Sequence, residues 1–164
     1  MRITFVLPGH GLNPGGGFKV VYEYANGLIK ASHFVTVVHT CEPDVKCPTR
    51  RKLRNIVKYV AYALGYNGGH KPTSWFELDP AVRMCWSPSL HENWIPNADA
   101  VVATAWETAE WVARYSPKKG QKYYLIQHLE TMFPGANAAR VTETWQLPLR
   151  KIVIAKWLQK VAEA

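Results

Sequence analysis

Cysteine is scarce in this sequence of 164 residues, which contains only Cys41, Cys47 and Cys85. An odd number of cysteines without metal-ligand spacing argues against a disulfide framework and a zinc site, so we expect reduced thiols in a cytosolic protein. A secretory signal is excluded because Arg2 and Pro8 leave too short an apolar stretch between them. No apolar run approaches the ~20 residues that cross a membrane.

Internal repeats, low-complexity tracts and long linkers are also absent. The length predicts about one domain, and a hydrophobic content of 48% is enough for a proper core. Negative charge is in deficit, since the formal net charge is +8. An excess of this sign suggests an anionic partner but does not bear on the fold.

The most distinctive stretch is the glycine-rich segment Pro8 to Lys19, PGHGLNPGGGFK. An apolar run of strand type, Arg2 to Leu7, precedes it. Phe18 to Lys30 follows with apolar side chains at helical spacing. The sequence therefore predicts a buried strand, a glycine-rich loop and a helix, in that order.

No Ser, Thr, Asp or Asn stands directly before Phe18 to cap this helix, and Gly15, Gly16 and Gly17 occupy its start. The first backbone N–H groups of the helix therefore lack an obvious partner. Glycine allows a ligand to approach the backbone, and a helix N-terminus favours an anion. One hypothesis is a phosphate site; the other is a flexible turn with a weak glycine cap.

A second strand is predicted over His33 to Thr40, which completes a β-α-β unit typical of a parallel sheet. The helix before it lacks the usual terminal glycine, so we expect Ser32 to adopt the strained position. Further strands and helices are predicted along the chain. The strands are Trp75–Leu78, Val82–Trp86, Ala100–Ala103, Lys122–Gln127 and Lys151–Ala155, and the helices are Ala105–Tyr115, a turn around Ala136–Val141, and Lys156–Ala164.

This alternation of short strands and helices predicts an α/β sandwich with a mainly parallel sheet. Ligands of such sheets bind at the carboxyl ends of the strands. The segments expected there are Pro8–Gly17, His39–Glu42, Thr104–Glu107, His128–Glu130 and Ala155–Lys156.

Segment 50–64 is predicted to be a basic amphipathic helix. Its apolar face comprises Leu53, Ile56, Val57, Val60 and Leu64, and positive charges crowd the region at Lys46, Arg50, Arg51, Lys52, Arg54 and Lys58. A surface helix with a solvated cationic face is one interpretation. A helix lying on an anionic membrane surface is the other.

Two nucleotide-binding motifs fail on inspection. Gly9 and Gly11 begin like the dinucleotide fingerprint, with Glu42 as a possible ribose-binding acid, but Pro14 stands at the third glycine position. The loop between Leu7 and Phe18 is also too long for that tight turn. No Gly-Lys-Ser/Thr follows the glycines, so a Walker loop is excluded.

Candidate polar groups gather at the predicted carboxyl edge. His128 ends a strand there and can hydrogen-bond a sugar hydroxyl or a phosphate near neutral pH, although a lone histidine is often structural. Glu130 can accept from sugar hydroxyls or cap the segment that follows. Trp106 and Glu107 are expected near the same cleft, and Thr104 with Glu107 has the spacing of a capping box. No Ser-His-Asp or Cys-His arrangement is evident.

Taken together, these pieces resemble family 4 glycosyltransferases of the B-type fold. The resemblance lies in MRITFVLPGHGLNPGGGFKVVYEYANGLIKASHFVTVVH and, more weakly, in ADAVVATAWETAEWV, YLIQHLE and KIVIAKWLQ. It covers essentially the whole chain. It implies a Rossmann-like three-layer sandwich that forms the N-terminal, acceptor-side half of a two-domain enzyme, whose donor-binding C-terminal domain is absent here.

The resemblance further implies transfer of a sugar from a nucleotide-sugar donor to a carbohydrate, lipid-linked or small-molecule acceptor, with retention and without a metal or other cofactor. Gly15, Gly16 and Gly17 would approach the donor diphosphate, and His128 would lie near the transferred sugar as the catalytic candidate. Thr104, Trp106, Glu107 and Glu130 complete the expected substrate-binding set. The chain alone is expected to be inactive, in the cytoplasm or peripheral on the inner face of the membrane, and to bind no nucleic acid.

The sequence departs from the family at two points. Ser32 replaces the usual glycine before His33, and Ala155-Lys156 stands where many members have a small hydroxyl residue. The alternative from another class is a non-catalytic Rossmann-like module that binds a nucleotide or an anionic partner through the basic helix.

Overall fold

A computed structural model describes residues 1–9, 14–40, 53–54, 56–57, 60–61, 64, 75–132 and 137–163. Within these residues the strands are β1 (Arg2–Leu7), β2 (Phe34–Thr40), β3 (Arg83–Ser87), β4 (Ala100–Ala103), β5 (Gln121–Ile126) and β6 (Arg150–Val153). The helices are α1 (Gly16–Lys30), α2 (Trp106–Arg114), α3 (Ala138–Trp145) and α4 (Lys156–Glu163).

The six strands form one parallel sheet in the order β3-β2-β1-β4-β5-β6. This order reverses beside β1, between β1 and β4, where ligands of doubly wound sheets bind. The central strands are short runs of mostly β-branched and aromatic residues, and β4 is buried along its whole length. The prediction of a parallel α/β sheet is confirmed.

The core has two halves, one on each face of the sheet. On one face, Phe5 and Leu7 pack against Val21, Tyr22 and Ala25 of α1. The other face packs against α2 and α3, with side chains from β1, β2, β4 and β5. Alternate strand residues therefore face opposite layers, and the result is a Rossmann-like three-layer sandwich.

Helix α1 ends in the strained conformation expected from its sequence. Ser32 has φ 63°, the left-handed region that favours glycine. Its N–H donates to the carbonyl of Ile29, and the N–H of His33 donates to the carbonyl of Leu28, which together form a Schellman motif. The glycine usual at this position is missing, and the chain adopts the turn without it.

We expect Ser32→Gly to raise the free energy of unfolding by about 0.5–1 kcal/mol, because glycine adopts this φ at little cost but loses more entropy on folding. Ser32→Ala is the control, since alanine keeps the strain. Urea unfolding monitored by circular dichroism measures both. A glycine variant no more stable than the alanine variant would show that Ser32 bears no strain.

Three predicted elements need correction. Residues 75–78 are irregular rather than a strand, because Asn26 accepts from Asp79 N–H at 2.8 Å and donates to the carbonyl of Glu77 at 2.9 Å. The predicted turn around residues 136–141 is the longer helix α3, capped by Asn137, whose side chain accepts from Arg140 N–H. The strand predicted at 151–155 exists as β6, but it ends at Val153, and it lies at the sheet edge, where Ile152 is 39% exposed.

The basic segment 50–64 lies largely outside the described residues. Four of its apolar residues, Leu53, Ile56, Val57 and Val60, have a helical backbone. Together with Leu64 they are 40% to 70% exposed. Within the described part of the chain no helix is both long and apolar enough to cross a membrane.

Candidate functional site

The carboxyl ends of the strands meet at one edge of the sheet, as predicted. The register places Leu7 beside His39, and Ala103 beside Tyr124. Two hydroxyl groups join these ends: Thr40 Oγ1 donates to the carbonyl of Leu7, and Thr104 Oγ1 donates to the carbonyl of Val6, each at 2.9 Å. The end of β1 is therefore held on both sides where the glycine-rich loop begins.

Helix α1 starts within the glycines, at Gly16 rather than at Phe18. Its N-cap is Gly15, with no side-chain hydrogen bond to the first turn and no acidic residue there. Gly16 and Gly17 are exposed. This N-terminus thus presents backbone N–H groups and the positive end of a 15-residue helix to the carboxyl edge.

Gln127, which sequence reasoning missed, borders this helix start. A Cβ atom on Gly17 would lie 3.7 Å from Gln127 Oε1 and 3.8 Å from Nε2. The Oε1 atom is buried and has no hydrogen-bond partner among the described residues. Gln127 follows β5 directly, so the glycines lie against the end of that strand. Its position after a strand was the only sequence signal available.

His128 is the next residue and is exposed at this edge. Its Nδ1 lies 2.9 Å from the carbonyl of Leu129, to which the ring N–H donates. The imidazole also stands perpendicular to the indole of Trp157, with ring centroids 6.5 Å apart. The two residues bring α4 and the end of β5 together. Because the preceding residue, Gln127, borders Gly17, His128 lies in the same region.

Trp106 is packed inside the protein rather than facing the edge. Its side chain is 2% exposed, and the Arg140 guanidinium lies 4.5 Å from the ring centroid. Arg140 also makes paired hydrogen bonds to Glu110 at 2.8 and 2.9 Å. This cation-π contact and ion pair join α3 to α2, so the packing favours a structural role for the indole.

The capping box predicted for Thr104 and Glu107 is wrong. The N-cap of α2 is Ala105, and the Thr104 hydroxyl is used on β1. Thr108 Oγ1 instead accepts from the N–H groups of Thr104 and Ala105, both at 3.0 Å. Glu107 lies in the first turn, half-buried, where its charge raises the pKa of Glu130.

Glu130 caps α2 from a distance. Its Oε2 accepts from the backbone N–H of Trp106 at 2.7 Å and from the Tyr124 hydroxyl at 3.1 Å. Burial raises the pKa of this carboxyl to about 7. The Glu130 carboxyl therefore caps the start of α2 in place of the predicted Thr104–Glu107 box, and it is close to His128 in sequence.

The Glu130 carboxyl should make stability depend on pH near neutrality. An acid whose folded pKa exceeds its unfolded value stabilises most when protonated, so stability falls as pH rises from about 4.5 through about 7. We expect its contribution to the free energy of unfolding to drop by about 2–3 kcal/mol between pH 5 and 8.

Glu130→Gln should remove this slope, because the amide matches the protonated acid and still accepts from Trp106 N–H. Denaturant unfolding at several pH values measures it, with the exposed Glu143→Gln as the control. Equal slopes in the native protein and the Glu130 variant would contradict the assignment.

Cys85 is a free thiol in β3 whose pKa burial raises, while Cys41 and Cys47 lie outside the described residues. Across the described ranges no group of three or more His, Cys, Asp or Glu side chains is placed to hold a metal ion. His10, Gly11 and Glu42 of the predicted edge are also outside those ranges.

Comparisons of the chain with protein-family models, with curated proteins and with solved structures find no match. The fold class therefore rests on the chain's own architecture.

Proposed function

We propose that this chain is the acceptor-side domain of a retaining glycosyltransferase, which moves a sugar from a nucleotide-sugar donor to a glycan, lipid or small-molecule acceptor. The support is a Rossmann-like sheet whose first strand leads through a glycine-rich loop into α1. A B-type transferase would use this sheet as one of two facing halves. The proposal needs no metal or other cofactor.

One observation carries the proposal. Among the described residues the N-terminus of α1 has no side-chain cap and no acid in its first turn, and it lies beside Gln127 at the end of β5. An anionic group such as a donor diphosphate would fit there, because the first N–H groups of a helix have no partner within the helix and the helix dipole favours negative charge. His128, one residue further, is exposed and within the same edge.

The roles divide accordingly. Gly15, Gly16 and Gly17 would bind the diphosphate through backbone N–H groups, and His128 would hydrogen-bond the sugar that is transferred. Glu107 would accept from sugar hydroxyls. Thr104, Trp106 and Glu130 would support the edge rather than touch the substrate. The Thr104 hydroxyl donates to a strand carbonyl, and the Trp106 indole packs against the Arg140 guanidinium. The Glu130 carboxylate accepts from a helix N–H.

Calorimetric titration with UDP-, GDP- and ADP-sugars, each against its free nucleotide, tests this proposal. We expect binding of at least one nucleotide sugar. His128→Ala should weaken the binding of the nucleotide sugar more than the binding of the free nucleotide. His33→Ala, before β2 at the opposite edge, is the matched control. The purified chain is not expected to transfer sugar by itself, and measurable transfer would overturn that part of the proposal.

The rival is a non-catalytic Rossmann-like module that binds a nucleotide or another anion. It differs in one measurable respect: the sugar would add no affinity to the nucleotide, and His128→Ala would leave both titrations unchanged. The same titrations therefore decide between the two.

We also propose that segment 50–64 contacts an anionic membrane surface at the inner face of the cell membrane. The supporting observation is that Leu53, Val57 and Leu64 are at least 60% exposed instead of being packed in the core. Arginine and lysine residues flank them in sequence. Exposed apolar side chains with neighbouring positive charge suit an interface with anionic headgroups.

The membrane contact predicts salt-sensitive binding to vesicles that contain anionic lipid. Reversing Arg50, Arg51 and Arg54 to Glu should weaken it by about 100-fold or more, since each basic residue near the surface contributes about 1 kcal/mol. Reversal of the exposed Lys118, Arg150 and Lys160 is the matched control. Co-sedimentation measures both sets, and unchanged binding after the first reversal would remove the idea.

A further inference from the structure

His39 is a buried histidine at the end of β2, and the proposed chemistry gives it no role. It is 2% exposed and stands opposite Leu7 in the sheet register. Its Nδ1 lies 3.1 Å from the carbonyl oxygen of Gly9, and its Nε2 lies 3.0 Å from the hydroxyl of Tyr22. Both ring nitrogens are therefore engaged, one with the glycine-rich loop and one with α1.

These partners determine the tautomer. The carbonyl of Gly9 can only accept, so Nδ1 must carry the proton. In a neutral ring Nε2 then accepts from the Tyr22 hydroxyl, whose pKa burial raises so that it stays a donor.

His39 touches both ends of the glycine-rich loop. At the entry, its hydrogen bond holds Gly9, which has φ +71°. At the exit, its ring lies 5.7 Å from the ring of Phe18, the residue that follows Gly17 in the first turn of α1. A single side chain therefore sets the separation between the strand end and the helix start.

The hydrogen bonds beside His39 reinforce this arrangement. The carbonyls of Val6, Leu7 and Gly9 are all taken by side chains, from Thr104, Thr40 and His39. The strand ends on either side of β1 thus hold the chain at three nearly consecutive residues. Of these three hydrogen bonds, only that of His39 is made to a residue after the end of β1, in the glycine-rich loop.

We propose that His39 is a positioning residue, which fixes the two ends of the glycine-rich loop so that Gly15, Gly16 and Gly17 present their N–H groups at the carboxyl edge. The positioning itself follows from the contacts of His39. Its effect on an anionic ligand rests on the proposed function. The side chain does not touch the ligand and acts only through Gly9 and α1.

The tautomer is the first test and needs no variant. A long-range ¹H–¹⁵N spectrum of protein labelled at histidine should show His39 protonated at Nδ1. Protonation at Nε2 instead would overturn the proposal, because the bond to Gly9 could not then form.

Two conservative substitutions separate the contacts. His39→Asn places an amide near the position of Nδ1 and keeps a donor for Gly9, whereas His39→Gln reaches toward Nε2 and keeps only the contact with Tyr22. Tyr22→Phe keeps the ring packing and removes the hydroxyl. The readout is ¹⁵N-glycine-labelled protein, whose 11 glycines give a simple spectrum.

We expect His39→Gln to shift the resonances of Gly9 and Gly15–Gly17 and to speed amide exchange at the loop by about five- to tenfold, as for loss of one hydrogen bond. His39→Asn should stay close to the native spectrum. Tyr22→Phe should leave Nδ1 protonated, because the carbonyl of Gly9 still needs a donor. If His39→Asn and His39→Gln changed the glycine resonances equally, in proportion to the stability each variant loses, His39 would only fill the core.

Titration of each variant with inorganic pyrophosphate then tests the link to function. His39→Gln should raise the apparent Kd by about fivefold or more relative to His39→Asn. Suppose that the variants differ in their glycine spectra but pyrophosphate moves no glycine resonance in any of them. That result would support the positioning role and overturn the anion site.

Discussion

Gly120→Ala is expected to lower the free energy of unfolding by about 3 kcal/mol or more. Gly120 has φ +85°, and a Cβ atom there would lie 2.4 Å from the backbone C and O of Asp99. The strained φ costs about 1–2 kcal/mol, and the clash adds about 1–3. Relief would require the starts of β4 and β5 to separate, where Gln121 N–H donates to the carbonyl of Asp99.

Thermal and urea unfolding measure this loss, which corresponds to roughly 10 °C in Tm for a domain of this size. Gly27→Ala is a matched control, because Gly27 lies within α1 and a Cβ there meets nothing within 4 Å. That variant should gain about 0.5–1 kcal/mol. If both glycine variants changed stability by the same amount, the close contact at Asp99 would be refuted.

Gly17→Asp is expected to abolish anion binding while leaving the fold intact. A carboxylate in the first turn of α1 would lie where the positive end of the helix dipole attracts a phosphate. Repulsion between the carboxylate and the phosphate over about 5 Å should weaken binding on the order of 100-fold. The same charge favours the helix N-terminus by about 0.3–1 kcal/mol, so stability should rise or stay constant. Binding and stability therefore move in opposite directions.

Gly17→Ala is the control for the added volume, since its Cβ would make only ordinary contacts of 3.7 and 3.8 Å with Gln127. Calorimetric titration with pyrophosphate and urea unfolding provide the two readouts. A Gly17→Asp protein that binds as well as the alanine variant would show that the anion binds elsewhere.

Local signals in the sequence were sufficient for the parts of the fold built from neighbouring residues. The apolar runs of β1 and β4 predict those strands, and the helix-to-strand join without glycine predicts the left-handed Ser32. The order of strands and helices then predicts the parallel sheet. These features follow from periodicity and turn chemistry within about ten residues.

Contacts between distant residues could not be predicted in this way. The cap of α2 is the carboxyl of Glu130, 24 positions after Trp106, so the nearer Thr104–Glu107 spacing was misleading. The burial of Trp106 depends on Arg140 in a helix whose length was underestimated. The first N–H groups of a helix can pair with an acceptor that is distant in sequence, and the spacing of nearby residues does not identify that acceptor.

The candidate site divides along the same line. Gly15–Gly17 and His128 could be proposed from the sequence, because glycines before a helix and a histidine after a strand are visible there. Gln127 was missed, and His39 was expected only as part of an edge segment, because their contacts depend on the sheet register, which brings them to α1 and to Gly9. The structure therefore adds the residues that support the loop to those expected to contact the ligand.

The most direct test of the central claim is an NMR titration of protein labelled at glycine and histidine with UDP-, GDP- and ADP-sugars. We predict that one class of donor shifts the amides of Gly15, Gly16 and Gly17 and the ring of His128 together and saturably, while the free sugar shifts none of them. Saturable binding that moves other resonances and leaves these four unchanged would contradict a nucleotide-sugar site at this edge.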